Sequence, residues 1–111
     1  MTDARLPAHL EAAAIRRLAE SHGGFATVLA RGERDAGTIA LVILCRGMPA
    51  TLYERMPQPG GNRLFVRTGE QDAENPSEFS QRIERMCERD ADLWLLEADI
   101  PDSERFVAAL P

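Results

Sequence analysis

The chain has no lysine: all 13 of its basic residues are arginine. That absence removes Schiff-base catalysis, which needs an amine nucleophile, and the lysine of a phosphate-binding loop. Nucleotide composition in a GC-rich genome accounts for it as well as function does. Aromatic residues are scarce, at 5%, so aliphatic side chains and alanine must fill the core. Long hydrophobic runs are missing too. The longest, Ile39 to Cys45, has seven residues, far short of the roughly 20 that a membrane-spanning helix takes. The opening Met1-Thr2-Asp3-Ala4-Arg5 lacks the apolar stretch of a secretory signal. Cysteine occurs only at Cys45 and Cys87, each inside an apolar pattern. That gives no framework of bridges, and the expected compartment is the reducing cytoplasm. Positive charge is in deficit, with a net charge of −5 and a pI near 5.0. Such a surface repels phosphate backbones, so nucleic acid is not an expected partner, and neither is a membrane.

What is present suits one domain spanning residues 1–111, with 44% apolar and 28% charged residues. Leu6 to His22 reads as a helix with Pro7 in its first turn and an apolar face of Leu10, Ala14, Ile15 and Leu18. Gly23-Gly24 ends it. Phe25 to Arg31 alternates as a strand. Thr38 to Cys45 is apolar on both parities, as a central strand covered on both faces is. After the Arg46-Gly47-Met48-Pro49 turn, Ala50 to Met56 alternates again. Pro57-Gln58-Pro59-Gly60-Gly61-Asn62 is a strong turn signal before a strand from Arg63 to Thr68.

These four strands, joined by short turns, predict an antiparallel meander. Asn75, Pro76 and Glu78 open a second helix with a buried stripe of Phe79, Ile83, Met86 and Cys87 and a surface pair between Glu78 and Arg82. Asp92 to Ile100 is a later strand with Trp94, Leu96, Ala98 and Ile100 on one face. A short helix capped by Asp102 or Ser103 docks through Phe106, Val107 and Leu110. The predicted fold is α+β, in the order α-β-β-β-β-α-β-α, with a mainly antiparallel sheet and helices packed on one face.

Few chemistries survive. His9 and His22 stand at opposite ends of one helix, about 20 Å apart, and cannot share a metal. No Cys/His spacing suits zinc, and neither a metal nor a cofactor is expected. Glycine-rich phosphate loops and serine-hydrolase elbows are absent. Cys45 and Cys87 fit packing better than nucleophilic work.

The acids offer two candidate groups, Glu70 with Asp72 after the fourth strand, and Glu97 with Asp99 on one face of the last strand. Such pairs can hold Mg²⁺ or perform acid–base work, although solvated strand faces carry them as readily. Tyr53 and Arg55 share a strand face and are residue types enriched at binding surfaces. Either they bind a partner, or Tyr53 shields the sheet while Arg55 pairs with an acid such as Glu97 or Asp99.

Several strings carry a resemblance: Arg5-Leu6-Pro7-Ala8-His9-Leu10-Glu11, Gly23-Gly24-Phe25-Ala26-Thr27-Val28-Leu29, Asp35-Ala36-Gly37, Leu52-Tyr53-Glu54-Arg55-Met56-Pro57-Gln58, Glu70-Gln71-Asp72 and Asp92-Leu93-Trp94. Together they resemble a small, mainly alphaproteobacterial family, the domain of unknown function numbered 1491. The resemblance implies one compact domain and transfers no activity or catalytic residue. The function expected is therefore a non-catalytic binding or interaction protein that engages a protein or small anionic ligand through Tyr53 and Arg55. A small hydrolase or metal-dependent enzyme using Glu70/Asp72 or Glu97/Asp99 is one alternative. A homodimeric module pairing through a sheet edge is another.

Overall fold

The computed structural model describes residues 6–61 and 63–111; the readings of Met1–Arg5 and of Asn62 lie outside them. Eight elements follow the expected order: α1 (Ala8–Ser21), β1 (Phe25–Ala30), β2 (Ile39–Leu44), β3 (Thr51–Pro57), β4 (Arg63–Glu70), α2 (Pro76–Arg89), β5 (Trp94–Asp99) and α3 (Ser103–Ala109). They form an α+β fold around one five-stranded sheet of order β1-β5-β2-β3-β4.

The expected four-strand meander is corrected to three strands, β2-β3-β4, because β5 inserts between β1 and β2. It runs antiparallel to β1 and parallel to β2. The reason lies in burial. Trp94, Leu96 and Ala98 on one face and Leu93 and Leu95 on the other are all buried, so β5 needs cover above, below and alongside. In contrast, Phe25 and Leu29 of β1 are exposed, which suits an edge. β2 takes the centre, with Ile39 through Ile43 all buried.

Two apolar faces on β2 and β5 demand two covers, and the helices supply them from opposite sides. Ile39, Leu41, Ile43, Trp94, Leu96 and Ala98 pack under α1 and α3. Ala40, Val42, Leu52 and Leu95 pack with Phe79, Ile83, Met86 and Cys87 of α2. The expectation of helices on one face is thus replaced by α1 and α3 on one side and α2 on the other.

The buried stripe of α1 is also rotated from the expected one. Ala8, Ala12, Ile15 and Ala19 face inward together with Glu11, while Leu10 is exposed. Alanine at three of those four apolar positions lets the helix backbone lie close to the sheet, where a leucine stripe holds it further off. Gly23, at φ 80°, turns the chain out of the helix.

The stripe of α2 is the predicted one, although only Phe79 is fully buried. Arg82 does not pair with Glu78; it reaches Glu54 on β3 at 3.9 Å. At α3, Asp102 Oδ1 accepts the Arg105 N–H at 3.2 Å, and Phe106 docks into the core.

Candidate binding site

Tyr53 and Arg55 share a face, but that face looks inward, toward α1. Tyr53 packs against the α1-side core. The Arg55 guanidinium is held by Glu11 through both Nε, at 3.0 Å, and Nη2. Its Nη1 donates to the Arg63 carbonyl at 2.9 Å, and its Cζ lies 4.3 Å from the centre of the Phe65 ring. The carboxylate partner is therefore Glu11, and neither Glu97 nor Asp99. With side-chain exposures of 12% for Arg55 and 7% for Glu11, all three nitrogens of this planar fork are engaged within the fold.

The two acidic groups do not share a recess. Glu70 and Asp72 line a shallow recess of about 210 Å³ with Asn75, Glu78, Arg82 and Arg85. Glu70 is 3.6 Å from Arg67, and Asp72 accepts the Glu74 N–H at 2.9 Å. Glu97 and Asp99 stand on the α2 side of β5, in register with Thr27 and Phe25 of β1. Glu97 is partly buried and lines a slot beneath α2, whereas Asp99 is exposed. Among the described residues, no group of three or more His, Cys, Asp or Glu side chains is placed to hold a metal ion.

Cys45 and Cys87 are free and only partly buried. Cys45 Sγ donates to the Pro101 carbonyl at 3.6 Å. Burial raises the Cys87 thiol above its ordinary range.

A different set of side chains converges between α1 and the β1 edge. His9, Ala12, Ala13 and Arg16 of α1 meet Val28, Arg31 and Trp94 around a groove of about 300 Å³. The α1 residues fall at i, i+3, i+4 and i+7, one helical face, and the two alanines leave room between His9 and Arg16. Arg31 arrives by way of a bulge. The register steps from Val28↔Leu96 to Ala30↔Leu95. The extra residue moves Ala30 to the α2 side and returns Arg31 to the α1 side. There its Cζ sits 5.6 Å from the centre of the Trp94 ring.

Trp94 is itself fixed. Its indole N–H donates to the Glu33 carbonyl at 2.7 Å. Arg16 Nε donates to the Ala26 carbonyl at 3.3 Å, and the side chain lines the groove. His9 Nδ1 meets the Arg34 carbonyl at 3.1 Å, so Nε2 is the nitrogen left for another partner. Among the described residues no carboxylate lines this groove. Asp35 lies beside it, 4.0 Å from His9 Nδ1.

The comparison with protein families bears on the whole chain: the family described as a protein of unknown function, DUF1491, matches residues 6–108. The chain belongs to the DUF1491 family. Solved DUF1491 structures share its fold. A crystal structure from Caulobacter crescentus is 26% identical, covers 96% of this chain and 98% of its own, and superposes with a TM-score of 0.76. An NMR structure of a DUF1491 protein from the same organism is 27% identical over 94% of each chain, with a TM-score of 0.77. A solution structure from A. tumefaciens is 27% identical over 89% of each chain, with a TM-score of 0.73. A search of curated proteins found no match. Membership in DUF1491 fixes the fold and names no reaction, so the chemistry of this chain has to be argued from its own side chains.

Part of the groove was legible before the fold was known. His9 and Arg16, seven residues apart on a predicted helix, share a face by spacing alone. Arg31 was not legible, because strict alternation places it opposite Val28 and only the bulge reverses that.

Proposed function

We propose that this DUF1491 chain is a non-catalytic binding protein that takes a small anionic ligand, a carboxylate or phosphate, in the groove between α1 and β1. One observation carries the proposal. On a protein of net charge −5, three basic side chains and, among the described residues, no acidic one line a single groove. Two guanidiniums offer planar N–H pairs that match carboxylate or phosphate oxygens. Arg31 is pre-placed against the indole and Arg16 against a backbone carbonyl, so little side-chain freedom is lost when a ligand arrives. The locally positive groove also concentrates anions that the rest of the surface repels.

The two thiols are free, as suits the reducing cytoplasm in which we place the protein. Among the described residues no helix is long and apolar enough to cross a membrane.

The test is an NMR titration of the full chain with inorganic phosphate and with citrate. The expected result is saturable shifts at the His9, Arg16 and Arg31 amides and at the Trp94 indole N–H. Arg16→Gln and Arg31→Gln are each expected to weaken binding roughly tenfold, the scale of one charge-assisted hydrogen bond. Shifts scattered over the surface, or unchanged affinity in both variants, refute the proposal.

A further inference from the structure

On the opposite side of the sheet, away from the basic groove, a second feature has no internal explanation. Glu97 belongs to β5, an interior strand with Thr27 of β1 on one side and Val42 of β2 on the other. Its side chain is partly buried in a slot of about 320 Å³. Leu29, Val42, Leu44, Phe79 and Ile83 supply the apolar walls, and Gln71, Ser80 and Glu84 join Glu97 as the polar part of the lining.

Among the described residues no basic nitrogen lies within 4.0 Å of the Glu97 carboxylate, and no donor bonds it. The nearby arginines of α2 are committed elsewhere: Arg82 approaches Glu54, and both Arg82 and Arg85 line the Glu70/Asp72 recess. A carboxylate set among apolar side chains gains from a cation brought to it. The chain has 13 arginines, and among the described residues none is placed against Glu97.

The surroundings define what that cation is attached to. Beyond the slot, Phe25 and Leu29 of the edge strand are 58% and 51% exposed. Asp99 stands in register with Phe25. The surface is thus an apolar strip with carboxylates Glu84, Glu97 and Asp99 along it and no arginine in its lining. From Phe25 to Leu29 the strip runs about 13 Å along β1, longer than a simple amine covers. The acidic rim turns away nucleic acid and anionic lipid alike.

We infer that this face, from Glu97 beneath α2 to Phe25 on the β1 edge, docks a basic amphipathic segment of a partner protein, with an arginine or lysine of that segment entering the slot to pair with Glu97. The apolar side of the segment covers Phe25 and Leu29 and closes over the mouth of the slot. Its cations meet Glu84 and Asp99. This docking is independent of the anion groove, which lies on the α1 side of the sheet.

The test uses the full chain and three probes: an 18-residue amphipathic model peptide of leucine and arginine, its leucine and glutamate counterpart, and argininamide alone. The expected outcome is that the leucine–arginine peptide shifts the amides of Phe25, Leu29, Phe79, Ile83 and Glu97. Glu97→Gln then weakens it roughly tenfold, while Glu20→Gln on α1 leaves it unchanged. Urea denaturation shows Glu97→Gln at least as stable as the native chain, because an unpaired charge has been removed.

Equal weakening by Glu20→Gln and Glu97→Gln overturns the inference, since bulk charge then explains binding. So does binding of the leucine–glutamate peptide at matching affinity, or shifts elsewhere on the surface. Argininamide binding as tightly as the peptide overturns it in favour of a small-cation site. Loss of stability in Glu97→Gln overturns it by showing that the carboxylate is satisfied within the fold.

Discussion

The Glu11–Arg55 pair converts a surface-looking motif into a stability element. Glu11 stands on the buried face of α1 and Arg55 on β3, so their contact ties the helix to the β3–β4 side of the sheet. Both side chains are close to 90% buried, at 7% and 12% exposure. An exposed pair contributes below about 1 kcal/mol, whereas removing one member of a buried pair costs about 3–5 kcal/mol by leaving the other charge uncompensated. Arg55→Ala and Glu11→Ala are each expected to fall in that higher range, a drop of roughly 12–20 °C in melting temperature at this chain length.

Replacing both at once, as Glu11→Leu with Arg55→Met, removes the stranded charge and adds apolar contact. It also forfeits the bond to the Arg63 carbonyl and the stacking on Phe65. The double variant should therefore sit within about 2 kcal/mol of the native chain. Urea unfolding followed by Trp94 fluorescence reads all of these, since Trp94 is 4% exposed in the fold. A cost below about 1 kcal/mol for Arg55→Ala, or a double variant equal to the sum of the singles, refutes the reasoning and returns Arg55 to the list of available binding groups.

Two further outcomes follow from local geometry. Backbone N–H bonds, first from Ala36 and then from Asp35 and Gly37, outweigh desolvation and hold the Glu33 carboxyl below its ordinary value of 4.5. A lowered folded-state pKa contributes stability above the unfolded value and loses it as pH falls through the folded one. Glu33→Gln is therefore expected to lose less stability than the native chain between pH 5 and pH 3 in acid denaturation, a window of roughly the unfolded carboxyl range; parallel curves contradict this. At Gly32, a Cβ would stand 2.0 Å from the Asp92 carbonyl oxygen, so Gly32→Ala must push apart the β1–β2 connection and the start of β5. The expected cost is about 2–3 kcal/mol in urea unfolding, and a neutral result shows that this close approach is not maintained.

The element order was legible because each element carries its own periodicity and punctuation. Ile39 to Leu44 announced a central strand through apolar residues on both parities, and Asn75-Pro76 announced the start of α2. Strand adjacency was not legible, because turn length speaks only to neighbours in sequence. The eight-residue connection Arg31 to Thr38 looks like a hairpin, yet the Glu33 N–H donates to the Asp92 carbonyl, just before β5. A sharper reading was available: Leu93 to Leu96 is as two-sided as β2, and a second strand needing cover on both faces has to lie inside the sheet. The same fact implied helices on both sides.

The candidate site shows the same division between local and non-local information. Tyr53 and Arg55 were placed on a common face by alternation, as they are, but alternation does not say which face meets a helix. That was decided by Glu11, an acid in the middle of α1's buried stripe, and the sequence hid it because the stripe is made of alanines. Once Ala8, Ala12, Ile15 and Ala19 are taken as the inner face, Glu11 has to be buried, and a buried carboxylate requires a cation. Arg55 is that cation. The rule also runs in reverse. Glu97 is likewise a partly buried acid on an apolar face, and among the described residues no arginine answers it. Glu11, buried and answered by Arg55, holds the fold together; Glu97, partly buried and without an internal cation, is the group on which the proposed docking rests.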